Sequence, residues 1–246
     1  MSEFYALLFT VAFWVLIIGL GLKIYQYIKT PAPLKIPLTP APLTKTGVGF
    51  RLAKEAIFFA SLFKSNKWIW LFGWLFHMSL FIVLIIHLRY FLETVPEWLV
   101  MLQSVGKYAA FTMVIGLVGL LVRRIAVPRI RYISDPSDYL WLILLIVIGI
   151  TGITMRFFSH TDIISVKAFA IGLESFNWQQ LPLDGPLLIH LALVAILMIL
   201  LPFSKLLHIP GIFFAPTRNQ VDNPREQRHV SKWALNLEAE KNKKQP

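Results

Sequence analysis

Residues 73–91, GWLFHMSLFIVLIIHLRYF, and residues 187–208, LLIHLALVAILMILLPFSKLLH, decide the fold. Each is an apolar run long enough to cross a bilayer as a helix, which takes about 20 residues. Each carries histidine at two levels: His77 and His87 in the first, His190 and His208 in the second. Polar side chains in hydrocarbon are costly and usually functional, so four imidazoles in two such runs call for a chemical role.

Working outward, three more apolar blocks complete a set of spans at roughly 4–27, 68–91, 106–126, 138–158 and 186–208. The sequence thus predicts an all-α integral membrane protein. Its five-transmembrane-helix bundle occupies residues 1–210, and a cytoplasmic tail follows over 211–246. The chain is 57% hydrophobic with a mean hydropathy of +0.65, far above a soluble domain. The first block has no basic run before it and no A-x-A-like cleavage site, so it reads as a retained span. There is no internal repeat and no low-complexity tract. Ser134 or Asp135 is placed to cap the fourth span, with Pro136 in its first turn.

The absence of cysteine excludes disulfides, a covalently attached c-type haem and a Cys-ligated iron–sulfur cluster within this chain. A net charge of +11 can point to nucleic acid; here the basic residues adjoin apolar blocks, and membrane orientation explains them better. Residues 23–67 hold eight Lys and Arg, 123–131 four, and 205–246 eight. The opposite side holds only Arg89, Lys107, Arg156 and Lys167. This asymmetry predicts an outer N-terminus and a cytoplasmic C-terminus. Trp68, Trp70, Trp74 and Trp141 fall near inner span ends, and Trp98 and Trp178 in outer loops, as in an aromatic belt.

Between the first two spans, PAPLKIPLTPAPL (31–43) is too proline-rich for a regular helix. GFRLAKEAIFFASLFKSNK (49–67) reads either as a helix lying on the inner surface or as a loop covering helix ends. The tail is either a solvated arm or a docking arm for a cytoplasmic partner; Phe213, Phe214 and Trp233 favour docking. The last dozen residues read as disordered. His160 and His229 lie in an outer loop and in the tail, where exposure is the default.

Antiparallel spans impose a pairing on the four histidines. The second span runs outward and the fifth inward, which sets His87 with His190 at the outer level and His77 with His208 at the inner level. Two facing imidazoles from different helices are the axial ligand set of a b-type haem, so the pattern points to two b haems. The rises differ: about 15 Å between His77 and His87, but about 27 Å between His190 and His208 along a straight helix. A kink at Pro202 is expected to absorb part of the difference.

The spacing His77-x9-His87 and His190-x17-His208 resembles that of the gamma subunit of respiratory nitrate reductase and its relatives. Arg123-Arg124-x4-Arg129-x-Arg131 followed by Asp138, and Pro202-Phe203-Ser204-Lys205-Leu206-Leu207-His208, are similar as well. The resemblance covers residues 4 to about 210. It implies two b haems on the same histidine pairs, with electrons passing between quinone, such as menaquinone, and iron–sulfur subunits. The tail PGIFFAPTRNQVDNPREQRH (210–229) resembles that of the membrane cytochrome DsrM of the sulfite-reduction-associated Dsr complex. That branch implies sulfur metabolism, an iron–sulfur partner resembling heterodisulfide reductase, and further Dsr subunits. It also implies a multi-pass place in a bacterial cytoplasmic membrane.

The same resemblance places a quinone contact at Lys107, whose cation can hydrogen-bond a quinone oxygen. A lysine snorkelling to the interface reads identically. Family members often have a small residue just before the outer ligand; here it is Ile86. Arg89 and Arg156 are candidates for outer haem propionates, and Arg51 or Arg123 for inner ones. Two rival classes remain at this stage: a membrane anchor without redox role, and a transporter. A transporter would want broken mid-membrane helices with charges facing a cavity, and the spans offer almost none.

Overall fold

The computed structural model describes residues 1–30, 37, 40–223, 225–227 and 229–243. In chain order the helices are α1 (Ser2–Lys29), α2 (Lys45–Phe58), α3 (Ala60–Ser65), α4 (Lys67–His87), α5 (Glu97–Ala126) and α6 (Pro128–Tyr132). There follow α7 (Pro136–Thr154), α8 (Ile163–Glu174), α9 (Gly185–Leu200), α10 (His208–Phe214), α11 (Pro216–Asn219) and α12 (Lys232–Lys243). Among the described residues there is no strand. Five helices are long and apolar enough to cross a membrane: Ser2–Lys29, Lys67–Tyr90, Glu97–Ala126, Pro136–Ser159 and Gly185–Phe203. The five-span, all-helical reading therefore holds. Most of the proline-rich stretch 31–43 lies outside the described residues.

The chain divides into two compact units: Met1–Leu22 with Phe58–Leu206, and Lys23–Ile57 with Leu207–Pro246. In the first, α4 packs on α5, α5 on α7 and α7 on α9. Phe76, Met113, Leu117 and Leu145 form the core of α4, α5 and α7. At Gly116 α5 approaches the α4 backbone closely: a Cβ there would lie 2.9 Å from the backbone oxygen of Phe72. Beside it the buried Ser79 hydroxyl pairs with Thr112 at 2.6 Å. A second core joins Tyr5 and Ala6 of α1, Phe169 of α8, Leu181 and Leu187. The Tyr5 hydroxyl donates to the Leu188 carbonyl at 2.9 Å, satisfying a buried polar group.

Local chemistry explains the element boundaries. Asn66 accepts from the amides of Trp68 and Ile69 at 3.1 and 3.0 Å, capping α4. Pro128 drives Val127 extended and ends α5 just after Arg123 and Arg124, two cations suited to a helix C-terminus. Asp135 caps α7 with Pro136 in its first turn, as the sequence predicts. The Asp138 carboxylate reaches back to accept the Asp135 amide at 3.1 Å.

That carboxylate also receives Arg124 at 3.1 Å and Lys205 at 3.0 Å, and Lys205 reaches Asp135 at 2.6 Å. Ser134 accepts from Arg124 at 2.7 Å. The arginine pair, Asp138 and the PFSK stretch, three motifs far apart in sequence, thus meet in one ionic cluster. It ties the end of α5 and the start of α7 to the turn after α9.

Several expectations need correction. The third span starts at Glu97 rather than 106, so Trp98 lies in the first turn of α5 and not in a loop. The segment between α7 and α9 contains α8, whose Phe169 is buried against the ends of α1 and α9. The fifth span is not a kinked helix running to 208. Regular α-helix stops at Leu200, and Leu201–Phe203 and Lys205–Leu207 are 3₁₀ turns. Pro202 lacks an amide donor and its ring crowds the carbonyl four residues back, so the helix breaks. Gly19 of α1 lies against that turn, where a Cβ would come 2.5 Å from Pro202 Cβ.

In the second unit α2 is a helix, and α3 follows in the first after the left-handed Phe59 (φ 49°), so the stretch 49–67 is helical and not a covering loop. The tail packs on this chain's own residues: Arg218 pairs with Glu55 at 3.3 Å and the Asp222 amide donates to the Pro42 carbonyl at 3.0 Å. Phe214 meets Tyr27 with centroids 5.7 Å apart. Residues 232–243 form α12 where disorder was expected, because Ala, Leu, Glu and Lys there are strong helix formers. His229 is half-buried and donates to Asn223 at 2.9 Å rather than lying exposed. His160 is exposed, with left-handed backbone at φ 51°.

Candidate functional site

His87 closes α4 and His190 lies in the second turn of α9. These two helices are joined through α5 and α7, yet their imidazoles approach each other with ring centroids 6.4 Å apart and planes 15° from parallel. The His87 Nδ1 lies 2.6 Å from the Val83 carbonyl. A carbonyl can only accept, so Nδ1 carries the proton and Nε2 keeps its lone pair for a ligand. The His190 Nδ1 lies 2.9 Å from the Thr151 hydroxyl and 3.1 Å from the Ile148 carbonyl, which fixes the same tautomer.

This arrangement fits axial ligation of a haem. His87 and His190 would be the residues to hold a haem iron: two metal–imidazole bonds of about 2 Å would set the ring centroids about 6 Å apart. Ligating histidines also hold their second nitrogen with a carbonyl or hydroxyl partner, as both do here. Among the described residues no group of three or more His, Cys, Asp or Glu is placed to hold a bare metal ion. A haem asks the protein for only two.

Around the pair, the Tyr90 ring lies 5.8 Å from that of His87, and the Arg89 guanidinium carbon 5.6 Å from the Tyr90 ring. Arg156, in the π-helical turn Met155–Ser159, lies within electrostatic reach of Tyr90. Arg89 follows His87 by two residues, and both arginines lie within electrostatic reach of Tyr90. α8 packs against Leu88–Tyr90, and Lys167 donates to the Glu93 carbonyl at 2.9 Å. Lys107 is exposed on α5. Its neighbour Gly106 lies against Ile86, and a Cβ at Gly106 would overlap the Ile86 side chain. The bulk that stands before His87 is thus accommodated by a missing side chain on α5.

His77 also directs Nδ1–H to a carbonyl four residues back, that of Gly73, at 2.6 Å. Phe59 and Phe76 flank its ring at 5.0 and 4.4 Å. His208 is the first residue of α10 in the second unit. Arg123 lies in the last turn of α5, and Arg51 on α2 in the second unit.

Residues 57–228 match the sequence profile of the nitrate reductase gamma subunit family. The chain belongs to that family. It is also similar to two archaeal proteins, each an "Hdr-like menaquinol oxidoreductase cytochrome b-like subunit". With that of Archaeoglobus fulgidus it is 33% identical, over 91% of this chain and 81% of the relative. With that of Archaeoglobus profundus it is 32% identical, over 96% and 83%. The family match takes in all four histidines, Lys107 and the Arg124–Asp138–Lys205 cluster, while α1 lies before it. Sequence reasoning missed Thr151, Ile148 and Gly152. The one available signal was a Thr-Gly pair inside an otherwise apolar span.

Proposed function

We propose that this chain is the cytochrome b subunit of a menaquinol oxidoreductase-like complex in a prokaryotic cytoplasmic membrane. It binds an outer b haem through His87 and His190 and an inner one through His77 and His208. It carries electrons between quinone at the outer face and a cytoplasmic iron–sulfur partner resembling heterodisulfide reductase. The observation that carries this reading is the 6.4 Å, near-parallel approach of two Nδ1-anchored imidazoles from two different helices, α4 and α9. The names of the two archaeal relatives support the quinol and the partner. The inner pair rests on the order of the spans, and the outer N-terminus on the Lys and Arg distribution.

When bound, the haems supply reversible one-electron carriage through a low-dielectric layer. The chain fixes the imidazole tautomers, excludes water with apolar helices, and gathers Arg89 and Arg156 where carboxylates need cations. Lys107 supplies a hydrogen-bond donor for a quinone oxygen at the same level. Flow in either direction is compatible with these residues. The tail over 210–229 carries the finer reading, a place in a Dsr-type complex of sulfur metabolism.

The test is the full chain purified after expression with ample haem supply. His87→Ala loses one b haem and quinol-linked reduction, whereas Lys107→Gln keeps both haems and slows quinol oxidation. A wild-type spectrum in the His87→Ala variant overturns the assignment.

A further inference from the structure

The described histidines on the spans are not held alike. His77 and His87 each turn Nδ1–H back to a carbonyl of their own helix, Gly73 and Val83, both at 2.6 Å. His190 is held instead by a different helix. Thr151 and Ile148, both on α7, contact its Nδ1 at 2.9 and 3.1 Å.

The hydroxyl hydrogen of Thr151 has its own destination. Its Oγ1 lies 2.9 Å from both the Val147 and Ile148 carbonyls, which can only accept. The hydrogen therefore points into α7, and an Oγ1 lone pair is left to receive the His190 Nδ1–H. Gly152 completes the contact: a Cβ added there would lie 3.6 Å from His190 Cε1, so the ring edge rests close to the α7 backbone.

We infer that Thr151 is a positioning residue for the outer axial imidazole, its hydroxyl setting the plane of His190 opposite His87 and adding a second acceptor to the Nδ1–H that the Ile148 carbonyl already receives. This rests on the haem assignment made above. An acceptor on the distal nitrogen makes a ligating imidazole more basic and sets its orientation. Val at this position keeps shape and volume but removes the hydroxyl acceptor, leaving the Ile148 carbonyl at 3.1 Å as the partner of Nδ1–H; Ser keeps the hydroxyl.

The experiment compares wild type, Thr151→Val, Thr151→Ser and His190→Ala as full-length, haem-loaded protein. Optical redox titration and EPR are recorded for each. In Thr151→Val the outer haem's midpoint potential shifts upward, because the imidazole donates less electron density to the oxidised iron. Its EPR g anisotropy also changes as the ring planes leave their near-parallel setting, while the inner haem is unmoved. Thr151→Ser restores both values. Loss of the outer haem in Thr151→Val with retention in Thr151→Ser supports the same role. If Thr151→Val matches wild type in both readouts while His190→Ala loses one haem, the inference fails and the haem assignment stands. Equal shifts of both haems, or no restoration by serine, also defeat it. A His190→Ala protein with a full haem complement defeats the assignment and the inference together.

Discussion

Asp138→Ala is the perturbation whose cost is most directly set by the structure. The Asp138 carboxylate accepts the Asp135 amide at 3.1 Å, Arg124 at 3.1 Å and Lys205 at 3.0 Å, and its side chain is only 15% exposed. Loss of a helix N-terminal carboxylate of this kind costs about 1 kcal/mol. The charge-assisted bond from Arg124 is worth about 1.5 kcal/mol more, since that partner is 29% exposed. The Lys205 pair, largely solvated, adds little.

Thermal unfolding in detergent or nanodiscs, followed by circular dichroism, is therefore expected to show Asp138→Ala destabilised by about 2.5 kcal/mol. Asp138→Asn retains a neutral acceptor for the Asp135 amide and loses roughly half of that. A double-mutant cycle between Arg124→Gln and Asp138→Asn isolates the pair, with a coupling of about 1 kcal/mol. Melting of Asp138→Ala within about 0.5 kcal/mol of wild type, or strictly additive Arg124 and Asp138 variants, would refute the claim that this cluster holds the α5, α7 and α9 ends together.

Three further outcomes follow from the same contacts. Gly116→Leu prevents the close approach of α4 and α5 and abolishes assembly, whereas Gly21→Leu, which meets nothing within 4 Å, leaves the thermal midpoint unchanged or raised; equal effects contradict the packing. Hydrogen bonds to Asp135 and Asp138 raise the Lys205 pKa above its ordinary value, so the Lys205 contribution is complete below the unfolded lysine value and disappears as pH climbs through the folded one. Stability should therefore fall on the alkaline side, and Lys205→Met should flatten that limb. At the start of α8, the Ser165 hydroxyl bond to Asp162 lowers the Asp162 pKa, so its contribution holds above the ordinary carboxylate value and is lost as pH falls through the lowered one; Asp162→Ala removes that acid dependence of α8 exchange protection.

The spans were legible because a bilayer-length apolar run has one structural solution, a helix that satisfies its own backbone. Their ends were less so. α5 begins at Glu97, nine residues before the start expected at 106, because Pro96 and Glu97 start a helix irrespective of hydropathy. α8 was missed because twelve residues are too few for a span, although its Phe169 is among the most buried side chains. Pro202 was read as a bend, yet the chain leaves the α-helix altogether there. The facing of His87 and His190 was readable from antiparallel topology alone. Thr151 was not, because its contact with His190 crosses between helices 39 residues apart in sequence, and nothing local announces it.

The pyridine haemochrome assay on the purified chain tests the central claim most directly. Two b-type haems per polypeptide are predicted for wild type and one for His190→Ala. A colourless wild-type protein after expression with abundant haem, or an undiminished content in His190→Ala, would contradict the account.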